Sequence, residues 1–204
     1  GKDGRLLDGQ HRCHAIIKAK ANVPILMVKG APDEAFKTLD TGRARTAGDV
    51  LGMLGVKYHT PVAAGAKMIL RIEDGAKKDY KPSHTRILDC IDRHQLLHYW
   101  AAQYGSSKVC RIVPSLVVGI LVLAEERHGR KVCQSFFDAV ASGAALGTRD
   151  PAYQYRERFI SKGRGEKFSQ EYAQAITIKS INAHILGNEI ALSRWGVSEG
   201  MPQL

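Results

Sequence analysis

None of the four cysteines, Cys13, Cys90, Cys110 and Cys133, stands in a C-x-x-C pair, and they lie far apart along the chain. That spacing argues against zinc, and it fits free thiols in a reducing compartment better than a secreted disulfide framework. A long hydrophobic run is missing too. The longest, Ile112 to Ala124, is broken by Pro114 and is too short to span a bilayer. No signal-peptide pattern precedes it, so the chain is expected in the cytoplasm with no membrane role. P-loop and Rossmann glycine fingerprints are absent, as are a Ser-His-Asp order, paired carboxylates, internal repeats and low-complexity stretches. A chain of 204 residues removes about 70% of its unfolded surface from water, so stability alone calls for no staple or cofactor.

Positive charge is plentiful. Thirty Lys and Arg face twenty Asp and Glu, a formal net charge of +10, with a pI near 9.6. Such a field attracts polyanions, nucleic acid first among the soluble ones, although plain solubility is the other reading. The basic residues are spread along the chain without a Lys/Arg tail, so any patch must be assembled by folding.

The pattern divides near residue 48. In residues 1–48, Lys2-Asp3-Gly4 signals a turn, Arg5 to Leu7 reads as a strand, and Asp8-Gly9-Gln10-His11-Arg12 follows. Ala15, Ile16 and Ala19 then recur at helical spacing, which places the segment where a strand turns into a helix. Pro24 to Val28 reads as a buried strand, and Pro32 to Leu39 as a short helix opened by Pro-Asp-Glu. The chain starts at Gly1 and reaches the motif within eight residues, so a preceding segment is expected to be missing, because a strand needs neighbours.

Residues 49–204 read as helical throughout. Thr46 caps a helix bearing Val50, Leu51 and Leu54, with Asp49 in its third position. Helices are expected over Val62 to Asp74, from Ser83 through Ile91, and over Leu96 to Tyr104, Pro114 to His128 and Lys131 to Ala141. Two more are expected from Pro151 through Phe159 and from Ser169 through Leu186. The fold class expected is α+β, a small α/β part followed by a mostly helical region.

Chemistry concentrates in Asp8 to Arg12. A glycine at a strand-to-helix turn lets a ligand approach the backbone, and the first N–H groups of the helix point at it. That makes an anion site, and Gln10, His11 and Arg12 add donors; the Arg12 fork can grip two phosphate oxygens. Asp8 can hold a metal, orient a donor or cap the helix. His14 lies three residues beyond His11, placing two imidazoles on one helical face. No third ligand is evident, and no metal site is assigned.

Gly4 to Ala15, G-R-L-L-D-G-Q-H-R-C-H-A, resembles the phosphate-binding motif of ParB/sulfiredoxin-like proteins and matches the signature of their DGQHR-type branch, the ParB N-terminal domain-like nuclease group. Asp40-Thr41-Gly42-Arg43-Ala44-Arg45, the stretch from Asp150 to Arg158, Ile178 to Ala183, and Arg194-Trp195 resemble later segments of phage and prophage members. The resemblance implies a ParB/sulfiredoxin-like α/β fold in which Gly9, Gln10, His11 and Arg12 line a pocket for nucleotide or DNA phosphates. Gln10 stands where sulfiredoxin has its reactive cysteine, so that chemistry is unavailable. Cys13 points along another side of the helix and does not replace it. His11 replaces an arginine of the ParB loop G-E-R-R, which weakens the clamp on a cytidine nucleotide.

Arg43 and Arg45, beside Gly42, are candidates to close over the phosphate, or else Asp40 and Arg45 form a structural ion pair. Tyr153, Tyr155, Arg156, Glu157 and Arg158 offer a basic, aromatic face for nucleic acid, or an ordinary amphipathic helix. Lys179, Asn182, His184 and Trp195 read as interhelical hydrogen bonding and packing. The function expected is a DNA-related, phage- or mobile-element-associated protein that binds nucleotide or nucleic-acid phosphate. If catalytic, it would be a ParB-like nuclease or nucleotidase. Asp8 with Mg would then activate water, His11 would move a proton and Arg12 would stabilise phosphoryl charge, with a nucleoside triphosphate as candidate cofactor. The alternative is a non-catalytic regulatory or interaction module that keeps a degenerate pocket.

Overall fold

The computed structural model describes residues 1–32, 34–35, 45–75, 80–144, 146–161 and 168–204. It divides into two compact units, Gly1–Thr46 and Ala47–Leu204.

The first unit corrects the α+β expectation: the described residues contain helix and no strand. Arg5 to Leu7 and Pro24 to Val28 have no strand neighbours among the described residues, and a lone extended segment makes no ladder. The apolar content that suggested a buried strand is exposed instead, Leu26 at 93% and Val28 at 75%. One helix is present, α1 (Gln10–Ala19), and it buries no residue. Only residues 34–35 of the helix expected from Pro32 to Leu39 show a helical turn; residues 33 and 36–39 lie outside the described ones.

The second unit is built from α2 (Ala47–Met53), α3 (His59–Glu73), α4 (His84–Arg93), α5 (Leu96–Ser106), α6 (Val117–His128), α7 (Arg130–Ser142), α8 (Pro151–Ile160) and α9 (Gln170–Ile185). Side chains set the starts of three of these helices. Ser83 accepts from the Arg86 N–H, Ser169 from that of Tyr172, and Asp150 from those of Ala152 and Tyr153, ahead of Pro151 in the first turn. The apolar stretch that could not cross a membrane becomes the centre of the core: every residue from Val117 to Ala124 is buried. A helix that is apolar on all sides needs partners on all sides, and α6 packs against α3, α5, α7 and α9. Among the described residues no helix is long and apolar enough to cross a membrane.

The helices α3 and α6 cross at backbone distance. A Cβ at Gly65 would lie 2.7 Å from Leu97 Cδ2 and 2.9 Å from Val118 Cγ1, and one at Gly119 would collide with the Gly65 carbonyl oxygen. Glycine at both positions lets the two backbones meet, although glycine inside a helix costs about 1 kcal/mol relative to alanine. Trp100 of α5 is fully buried beside this crossing's helices, its Nε1 donating to Glu125 at 2.7 Å. The polar face of α9 fixes the C-terminal tail: Lys179 donates to the Arg194 carbonyl (3.0 Å) and to Glu199 (2.8 Å), and Asn182 to the Gln203 carbonyl (2.7 Å).

His184, on the same helix, contacts Ser135 Oγ at 2.8 Å and packs edge-on against Phe136. Burial disfavours its charged form and holds its pKa below the ordinary 6.5. A depressed folded-state value means stability is fully present above pH 6.5 and is lost as pH falls through the lower value. Glu73, held low by the Arg93 guanidinium, and Glu199, held low by Lys179, act in the same sense further down, below their ordinary 4.5.

Two outcomes follow. Gly119→Ala should lower stability by at least about 2 kcal/mol in denaturant titrations despite its better helix propensity, since the obstacle is backbone; an unchanged midpoint would mean the helices do not cross so closely. Tm should drop between about pH 7 and about pH 5, and His184→Gln should flatten that slope. An equally steep variant would assign the loss to other groups.

Candidate functional site

Gly9 is the N-cap of α1, with φ 87° and ψ 13° in the left-handed region that favours glycine. No side chain caps this helix, and its first turn carries no acidic residue. The first helical bond runs from the Cys13 N–H to the Gly9 carbonyl at 2.9 Å. The N–H groups of Gln10, His11 and Arg12 therefore have no intrahelical partner, as the first donors of a helix never do. Their side chains are exposed and Gly9 is half-buried. Four of the predicted residues thus form an open ridge of donors at the positive end of a helix dipole, rather than the lining of an enclosed pocket.

Asp8 sits beside this ridge with its carboxylate engaged. Its Oδ1 lies 3.6 Å from Arg45 Nη2. The chain therefore brings Arg45 back to the motif, but as the partner of Asp8; Asp40, Gly42 and Arg43 lie outside the described residues. Of the residues given a catalytic role, Asp8 is half-buried and ion-paired, while His11 and Arg12 are exposed on the first turn of α1. Among the described residues no three His, Cys, Asp or Glu side chains cluster as a metal site would require.

The other predicted surface is divided: Tyr153, Arg156, Glu157 and Arg158 are half-buried, and Tyr155 is internal. Tyr155 is fully buried, with its hydroxyl 2.9 Å from Thr177 Oγ1. Arg156 donates to the Val140 carbonyl at 2.7 Å, and Arg158 donates to the Tyr172 hydroxyl at 2.8 Å while lying over the Phe168 ring. Arg156 and Arg158 tie α8 to its neighbours. The four cysteines are free thiols; burial pushes Cys90 and Cys133 up to about 11, so neither is a ready nucleophile.

One feature was not anticipated from sequence. Arg71 of α3 is only 3% exposed and borders a cleft with Lys67, one helical turn before it. The available signal was a cation inside the otherwise apolar run Met68-Ile69-Leu70-Arg71-Ile72, since an arginine is rarely buried without a polar purpose.

The chain matches no family model, no curated protein and no solved structure.

Proposed function

We propose that the chain binds nucleic-acid phosphate through Gly9, Gln10, His11 and Arg12, as a DNA-related protein of the phage or mobile-element kind that its D-G-Q-H-R motif suggests. The observation that carries this reading is the uncapped start of α1. Three backbone donors without a helical partner adjoin the exposed side chains of Gln10, His11 and Arg12, and such a set favours phosphate oxygens. The openness of the ridge suits a sugar–phosphate backbone better than an isolated nucleotide, which is ordinarily enclosed. A net charge of +10 supports the approach of a polyanion at long range.

Binding, rather than phosphodiester hydrolysis, is the reading favoured by the Asp8–Arg45 pair. The pair also places a negative charge beside the phosphate, moderated by the guanidinium. A second reading, an interaction module for a protein partner, draws on the exposed Leu26, Met27 and Val28 of the same unit.

Fluorescence anisotropy with a labelled duplex, between about 50 and about 200 mM salt, separates these readings. Arg12→Ala should weaken binding by about fivefold at the lower salt and reduce the log–log salt slope by about 1. Asp8→Asn should leave affinity intact or tighten it, whereas a hydrolase would lose turnover. An Arg12→Ala protein with wild-type affinity and slope would transfer the proposal to the interaction reading.

A further inference from the structure

The helical unit contains a cleft of about 430 Å³ whose floor includes Ala64, Lys67, Met68 and Arg71, all on one face of α3. Leu116, Phe159 and Phe168 supply apolar wall. The cleft continues, through the shared residues Lys67, Arg71 and Gln170, into a second depression of about 400 Å³ bordered by Lys81 and Glu171. Either volume lies within the roughly 300–1,000 Å³ of small-molecule sites. Among the described residues that line the cleft, three cations, Lys67, Arg71 and Lys81, face one carboxylate, Glu171.

Arg71 gives the cleft its polarity. Its side chain is 3% exposed, and such a charge persists in a low-dielectric site only when its donors are answered. Nε donates to Gln174 Oε1 at 3.0 Å, and Nη2 lies 3.5 Å from Glu171 Oε1. Nη1 has no partner among the described residues, and neither has the Lys67 ammonium one turn away. An apolar cavity therefore ends at an arginine whose fork is part-filled, next to an unpaired lysine. A planar anion completes that fork, and the apolar wall receives whatever the anion is attached to.

We infer that this cleft binds a small organic anion with a flat apolar body, its carboxylate or phosphate held by Arg71 and Lys67 and its body seated against Met68, Leu116, Phe159 and Phe168. The site belongs wholly to the helical unit and does not depend on the phosphate ridge at α1. Arg71 is pre-positioned by Gln174 and Glu171, so the ligand orders one short lysine contact and little else.

Isothermal calorimetry on the full chain with 2-naphthoate, 2-naphthyl phosphate and the neutral 2-naphthalenemethanol tests the inference. One equivalent of at least one anion should bind, at least about tenfold more tightly than the alcohol, and the tighter of the two identifies the head group. Lys67→Met should weaken that anion at least about fivefold and leave the alcohol unchanged. Ala64→Trp, which fills the cleft from a half-buried position, should abolish binding of every probe while the cooperative melt is retained. Failure of both anions to bind, an alcohol as tight as its charged counterparts, or full binding by a folded Ala64→Trp protein would each overturn it.

Discussion

The close contact of Gly65 with Gly119 is the constraint on which the helical unit depends. It sets α3 against the wholly buried α6 at backbone distance, leaving no room for a side chain on either partner. Once that crossing is made, the turn of α3 that follows is committed: Met68, Ile69 and Leu70 are buried, and Arg71 is carried inside with them. A buried guanidinium then needs acceptors, and the first two turns of α9 supply them in Glu171 and Gln174. Packing thus dictates a polar site, because an apolar helix face that includes one cation cannot be buried without answering it.

The helical region was largely legible because its boundaries are written in short-range chemistry. Ser83, Asp150 and Ser169 each accept backbone N–H groups within three residues, a pattern that sequence displays directly. The first unit was less legible because strands depend on distant partners. Pro24 to Val28 has the composition of a buried strand, yet composition does not supply the neighbour it needs. The α1 donors were foreseen from the glycine and the polar residues behind it. Their exposure was not, since burial is decided by tertiary contacts. The same limit explains α8: Arg156 and Arg158 look like a solvent-facing basic pair until the carbonyl of Val140 and the ring of Phe168 come within reach.

The two proposed binding features differ in the way solvent treats them. At α1 the donors are exposed and any attraction for phosphate is screened over about 10 Å at ordinary salt, so the proposed affinity requires many such contacts along a polymer. At Arg71 the guanidinium is shielded from water, so the inferred anion would be held more strongly and less salt-dependently. The two proposals thus assign a polyanion to the open ridge and a small anion to the sheltered cleft, in separate units.

The central claim is that the amides at the start of α1 are the phosphate contact. Proton–nitrogen correlation spectra recorded while a short duplex is titrated test it most directly. The account predicts that the backbone signals of Gln10, His11 and Arg12 shift progressively with DNA while those of Lys67 and Arg71 stay in place. Shifts confined to the helical unit, with the α1 amides unmoved at saturating duplex, would contradict it.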